Sequence, residues 1–301
     1  MASNAAAIRV EIKQMLRRRQ VEAGSVLLTG LVGRGIQASR SPIMHELEAR
    51  RLGINYAYLL IDFDTSGFAD DALGDVLKVA RELGFHGLNA THPFKTKVID
   101  LLDGLSPEAA AVGAVNTIVF GPDRAVGHNT DIWGFAESMR QNLADVACRR
   151  VVQFGAGGAG AAVAYALSQY GVQELVIIDK DAERAEKLAA SLNGTNGCAM
   201  RASSNVREIQ ASDGVVNTSP VGMAKYPGTP FDVALLTPAH WVADVIYFPL
   251  ETELIHAAKA VGCRTMPGIG MAIGQAVRAF ELFTGQTADM HQMTAHFEAA
   301  A

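Results

Sequence analysis

Val151-Val152-Gln153-Phe154-Gly155-Ala156-Gly157-Gly158-Ala159-Gly160 decides the fold. Gly155, Gly157 and Gly160 form a GxGxxG pattern. Alone the pattern is weak. Here an apolar strand precedes it and an Ala-rich helix, Ala159 to Tyr170, follows, which is the context a dinucleotide fingerprint requires. The first glycine permits a tight turn, the second lets the backbone approach a pyrophosphate, and the third lets helix and strand pack closely. The helix start, with Gly158 and Ala159, offers unpaired N–H groups and a positive dipole end to phosphates. A glycine-rich turn between two buried elements is the plainer alternative.

The next strand weighs against that alternative. Leu175 to Ile178 ends in Asp179, nineteen residues past Gly160, where an acid meets a ribose 2′-hydroxyl. A carboxylate there accepts from the 2′-hydroxyl of NAD and repels the 2′-phosphate of NADP. NAD is therefore the expected cofactor and NADP the less favoured one. Lys180 and Arg184 follow, and either could meet a 2′-phosphate, flank the adenosine, or belong to a solvated helix start.

Working outward, short apolar runs alternate with helical patterns on both sides of this stretch. Strands are expected at Val26 to Val32, Asn55 to Ile61 and Gly87 to Asn89. Ser41-Pro42 reads as N-cap and first residue of a helix, and Ser106-Pro107 opens another by the same logic. Val115 to Phe120 and Arg124 to His128 read as a hairpin around Gly121-Pro122, and a long helix follows from Asp131. Further strands are expected at Gly214 to Val216 and Val242 to Ile246, with a helix from Asp181 to Leu192. Strands alternating with helices argue for an α/β protein with parallel sheets covered by helices. Two domains are expected. An α/β substrate-binding domain takes 1–130 plus 270–301, and a Rossmann-type doubly wound NAD domain takes 131–269.

Length and composition agree. The chain of 301 residues is long enough for about two domains. Its net charge of −5, with 19% charged residues, gives no general attraction for nucleic acid or anionic lipid. At 49% hydrophobic residues it is not disordered. Cys148, Cys198 and Cys263 lie far apart with no CxxC pair, which fits free thiols in a cytoplasmic protein. Val151 to Gln173 is uncharged, but its glycines break it into strand, turn and helix, so no membrane span is expected. The leading stretch holds Ile8, Ile12, Met15 and Leu16 at helical spacing and reads as an extension packed on the surface, with Arg17 to Arg19 as a solvated face. The scattered histidines, His291 and His296 included, have no ligand spacing, and no metal is assigned.

A dinucleotide domain does not by itself name a reaction. Asn89-Ala90-Thr91-His92-Pro93-Phe94-Lys95 places polar side chains and a lysine between a strand end and a helix start, and Asn129-Thr130-Asp131 does the same further on. A lysine beside a carboxylate can exchange a proton during alcohol oxidation. Spacing alone fits a surface lysine at Lys95 and a helix-capping Asp131 somewhat better than a catalytic pair.

Taken together, these segments resemble the shikimate/quinate dehydrogenase family. Gly30-Leu31-Val32-Gly33 with Ser39-Arg40-Ser41-Pro42 and His45 is similar to its carboxylate motif. Asn89 to Lys95 resembles its NxTxPxK segment, and Gly113 to Thr117 and Asn129 to Asp131 resemble the next two. Asn217 to Met223 is similar to its NxTPxGM loop, with Ser219 where Thr is usual, and Gly268 to Gly285 to its closing helix.

The resemblance implies reversible oxidation of a ring 3-hydroxyl on a small polyhydroxylated cyclohexane or cyclohexene carboxylate. Lys95 would be the catalytic acid/base, paired with Asp131. Ser39 and Ser41 would hold the carboxylate. Thr91, Asn116, Asp131 and Gln275 would bind ring hydroxyls, with Asn89 and Tyr247 beside them. Gly157, Gly158 and Ala159 would line the pyrophosphate, Asp179 and Arg184 the adenosine ribose. Ser219, Pro220, Val221, Gly222, Val245 and Gly268 would lie along the adenosine and nicotinamide. The site would be a cleft between the two domains. NADP-using members usually carry Asn-Arg where Asp179-Lys180 stands, an aliphatic residue at His92, which would touch substrate or, the reading preferred, fill space, and often His-Ser at Ala38-Ser39. These departures resemble the NAD-using quinate/shikimate branch. Aminoshikimate oxidation and a non-catalytic metabolite sensor are the alternatives. Biosynthetic and quinate-catabolic roles both stay open, as does the oligomeric state, with a homodimer the assembly considered.

Overall fold

The computed structural model describes residues 2–22, 24 and 26–299. They form two compact units, 1–130 with 276–301, and 131–275. The second boundary falls inside a helix, Ile269–Thr284, and not at the expected 269/270. The cause is a helix crossing in the second unit. A Cβ on Gly134 would lie 2.6 Å from both Met271 O and Gln275 N, and one on Gly274 2.8 Å from Gly134 Cα. Only hydrogen side chains let these backbones touch, so Gln275 belongs with the second unit.

The first unit runs α1 (Ala2–Arg18), β1 (Leu27–Gly33), α2 (Ser41–Arg51), β2 (Tyr56–Asp62), α3 (Leu73–Glu82), β3 (Gly87–Ala90), α4 (Phe94–Lys97), β4 (Gly104–Leu105), α5 (Pro107–Val112), β5 (Thr117–Phe120) and β6 (Ala125–His128). Among the described residues its sheet has the order β2-β1-β3-β5-β6-β4. The sheet is mixed and not purely parallel: β3–β5 and β5–β6 are antiparallel. A tight hairpin at Gly121-Pro122 allows only antiparallel pairing.

Helix α1 is more than a surface extension. Ile8 and Ile12 are wholly buried and Leu16 nearly so, within the core that also holds Val76 and Ala80 of α3. Each such side chain contributes roughly 1.5–3 kcal/mol over its exposed state. Helix α2 starts one residue earlier in role than expected. Arg40 is its N-cap, without a side-chain cap bond, and the Ser41 N–H donates instead to Ser39 Oγ at 3.3 Å.

The second unit runs α6 (Thr130–Asn142), β7 (Arg150–Phe154), α7 (Gly158–Tyr170), β8 (Glu174–Ile178), α8 (Ala182–Leu192), β9 (Ala199–Ala202), β10 (Gly214–Asn217), β11 (Trp241–Asp244), α9 (Glu253–Val261), β12 (Arg264–Met266) and α10 (Ile269–Thr284). Its sheet, in the order β12-β11-β10-β7-β8-β9, is parallel throughout. Helix α11 (Met290–Ala299) returns to the first unit. The strand order reverses between β7 and β10, and in open parallel sheets ligands bind outside the carboxyl ends of strands at such a switch point. Strand β11 stops at Asp244, two residues before the expected end, because its carboxylate accepts the Ile246 N–H and turns the chain. No helix among the described residues is long and apolar enough to cross a membrane, and none of their His, Cys, Asp and Glu clusters could hold a metal.

Candidate active site

In the second unit, β7 delivers Gly155 to the switch point with φ +103°. This left-handed conformation favours glycine, and a Cβ there would press on Thr218 Oγ1 at 2.7 Å. Gly160 faces the Gly155 carbonyl so closely that a Cβ would collide with it. Gly157 and Gly158 are exposed, and a Cβ on either would meet nothing within 4 Å. The first turn of α7, including half-buried Ala159, thus presents N–H groups without helical acceptors beside an open glycine surface. That surface fits a pyrophosphate.

Buried side chains fix this turn from beneath. Gln153 donates to Gly155 O at 2.8 Å and Gly160 O at 3.0 Å. Thr218 Oγ1 donates to Phe154 O and Gly155 O, both at 2.9 Å. Asp179 also contributes, since its Oδ2 accepts the Ala156 N–H at 2.7 Å and its Oδ1 the Asp181 N–H at 2.9 Å. Each oxygen keeps a lone pair for a ribose hydroxyl. Arg184 lies on the first turn of α8, half-exposed and 3.7 Å from Asp181.

A second loop pair follows β10 and β11. Asn217 Oδ1 accepts from the Ser219 N–H at 3.0 Å and its hydroxyl at 2.7 Å, while its Nδ2 donates to Val221 O at 2.9 Å. Pro220 is exposed between them, and Gly222 turns with φ +115°. Asp244, fully buried, accepts from Asn217 Nδ2 at 3.1 Å, Ile246 N–H at 3.0 Å and Thr252 Oγ1 at 2.8 Å. Burial pushes its carboxyl up to about 6 despite these donors. Gly268 packs directly on the backbone of Val245. Tyr247 is exposed, its ring edge against Phe248 at 5.7 Å. Asp131 opens α6 and is nearly buried, and half-buried Gln275 donates to Ala272 O at 2.9 Å.

In the first unit, Ser39 donates to Ser41 Oγ at 3.2 Å in the turn after β1. Asn89 of β3 spends both amide hydrogens, on Asn116 O at 3.1 Å and Thr117 Oγ1 at 2.9 Å, and its Oδ1 accepts from Tyr58 Oη at 2.8 Å. What remains to Asn89 is acceptance. Asn116 is the reverse case. Its Oδ1 accepts from the Thr130 N–H at 2.7 Å and from the Thr130 and Thr117 hydroxyls at 3.1 Å, which leaves its amide hydrogens as donors. A hydroxyl both donates and accepts, so this pair suits one. Thr91, half-buried, stands just past the β3 end. Lys95 follows Phe94, whose buried ring packs 4.5 Å from Phe63, and the Lys95 carbonyl accepts the Val115 N–H at 2.8 Å. The lysine stem therefore rises from a fixed backbone. His92 is exposed and fills no space in the core. His45 of the serine motif is buried, its ring tilted against that of Tyr58 at 4.7 Å, and burial lowers its ring to about 3, so it stays neutral.

The candidate residues thus divide. Ser39, Ser41, Asn89, Thr91, Lys95 and Asn116 lie in the first unit; Asp131, Tyr247, Gln275 and every dinucleotide candidate lie in the second. Tyr58, Thr117, Gln153 and Asp244 were not legible as site residues. The carboxylate ending an apolar strand at Asp244 was the one available signal.

Family models match three stretches: the shikimate dehydrogenase substrate binding domain over 31–118, shikimate/quinate 5-dehydrogenase over 137–221, and the shikimate 5′-dehydrogenase C-terminal domain over 268–296. A shikimate dehydrogenase (NADP(+)) of Streptomyces avermitilis is 51% identical over 272 residues, 89% of this chain and 94% of that one. A quinate/shikimate dehydrogenase (NAD(+)) of Corynebacterium efficiens is 48% identical over 276 residues, 90% of this chain and 97% of that one. The solved quinate dehydrogenase from Corynebacterium glutamicum in complex with NAD superposes with a TM-score of 0.85 at 45% identity, covering 91% of this chain and 99% of that one.

Proposed function

Because the chain belongs to the shikimate/quinate dehydrogenase family, we propose that it oxidises shikimate, quinate or both at the ring 3-hydroxyl, with NAD as the preferred dinucleotide. The observation that carries the substrate reading is the pairing of Asn89 as acceptor with Asn116 as donor, as a ring hydroxyl requires. Ser39 turns its hydroxyl from Ser41 Oγ to the substrate carboxylate, with Ser41 beside it, and Thr91, Gln275 and Tyr247 supply further polar contacts. Lys95 accepts the proton of the reacting hydroxyl as the carbinol carbon gives up hydride, and Asp131 is the second residue assigned to catalysis. Bound at Gly155 to Gly160, a nicotinamide dinucleotide supplies the hydride acceptor. Asp179 takes the ribose 2′-hydroxyl and disfavours a 2′-phosphate, with Arg184 alongside. Ser219 to Gly222, Val245 and Gly268 line the rest of the dinucleotide.

The test is dinucleotide reduction by purified protein, with NAD and NADP, against shikimate and quinate separately. Lys95→Ala should lose about 10²-fold or more in kcat while still binding NAD. Full kcat in that variant refutes the assignment. Asp179→Ala should lower the NAD over NADP preference about tenfold or more, the worth of one charge-assisted hydrogen bond, and an unchanged ratio refutes the ribose contact.

A further inference from the structure

We propose that Tyr58 is a positioning residue for substrate, acting through Ser41 and Asn89. The inference deepens the reading above and rests on it. Tyr58 has no solvent exposure and touches no reacting atom. Its phenol donates to Asn89 Oδ1 at 2.8 Å, and the Ser41 hydroxyl faces the same oxygen. The one phenolic proton is spent on Asn89, so toward Ser41 the oxygen accepts. One buried group thus joins the serine turn after β1 to the polar end of β3. It sets the spacing between the residues assigned to the carboxylate and to a ring hydroxyl.

The ring is itself held from several directions. Tyr58 lies on β2, the outermost strand of its sheet. Its N–H donates to Glu46 Oε1 at 2.9 Å and its carbonyl accepts from Arg19, while Arg19 and Glu46 pair with each other at 2.8 Å. The His45 ring packs against it at a tilt, with the centroids 4.7 Å apart. Backbone and hydroxyl are both fixed, so Asn89 keeps its acceptor aimed in one direction.

Steady-state kinetics and NAD binding of Tyr58→Phe test this. The KM for shikimate or quinate should rise about tenfold, as for one buried hydrogen bond, with kcat within about threefold and the Kd for NAD unchanged. In an Asn89→Ala background the same substitution should add at most about twofold, because its main path is gone. Glu46→Ala, which frees the Tyr58 N–H and unpairs Arg19 but leaves the phenol in place, should raise KM by about threefold with the same split. An unchanged KM in Tyr58→Phe or Glu46→Ala overturns the proposal. So does a full tenfold rise persisting in the Asn89→Ala background, which marks a purely structural role. Wild-type protein that turns over neither substrate overturns the functional reading and this inference with it; active wild type with an indifferent Tyr58→Phe overturns the inference alone.

Discussion

Replacing Asp244 by Asn should stabilise the second unit in mild alkali and confer almost nothing in acid. The Asp244 carboxyl is fully buried, and burial raises it from 3.8 to about 6. Because the folded value is the raised one, its contribution to stability is complete below pH 3.8 and lost as pH climbs through 6. At pH 8 the ionised group costs the folded state about 3 kcal/mol. Asn removes the charge and keeps both Oδ1 contacts, with Asn217 and Ile246. Its amide nitrogen, however, faces Thr252 Oγ1, whose proton loses the carboxylate oxygen that accepted it, so about 1 kcal/mol of hydrogen bonding is lost. The balance is a gain of about 2 kcal/mol at pH 8, shrinking to about zero near pH 4.5. Urea unfolding followed by tryptophan fluorescence reads this unit selectively, because the two tryptophans, Trp133 and Trp241, both lie in it. A difference between variant and wild type that stays constant from pH 4.5 to pH 8 refutes the buried-charge account.

The first unit should respond to acid through His45. Burial depresses its ring from 6.5 to about 3, so stability present above pH 6.5 is lost as pH falls toward 3, up to about 5 kcal/mol. Hydrogen exchange at pH 4.5 should find β2 and α2 opening before β7 and β8, and the opposite order counts against it. Gly160→Ala places a Cβ on the Gly155 carbonyl and should lower the melting temperature together with NAD affinity. Gly157→Ala, open on that side, should weaken NAD by about tenfold at an unchanged melting temperature. Equal calorimetric and binding effects in the two variants contradict the distinct roles given to these glycines.

The parts of the fold that could be read from the chain share one property: their signals are local. The phosphate turn, the helix capped by Ser106 and the strand ending in Asp179 are each specified within about twenty residues. Strands β4, β9 and β12 were missed because two to four residues at a sheet edge carry too little apolar pattern. Helix α9 escaped although Thr252 caps it and Gly262 ends it, since a helix of that length competes poorly with loop signals. The site followed the same rule. Asn89 and Asn116 stand in recognisable segments, but which one donates depends on Tyr58, Thr117 and Thr130. Tyr58 lies 31 residues from Asn89 in sequence; on an alternating strand it looks like any buried aromatic.

The Arg19–Glu46 pair has a consequence beyond the ring it holds. An outermost strand presents peptide groups that another chain can extend into a longer sheet. At Tyr58 these groups are already taken, one by a carboxylate and one by a guanidinium. Two side chains occupy the place of a neighbouring strand's peptide and balance each other's charge. The opposite border of the sheet, β4, is only two residues long. At both borders the protein offers little template for strand addition, and the residues that close one of them are those that hold Tyr58 against Asn89.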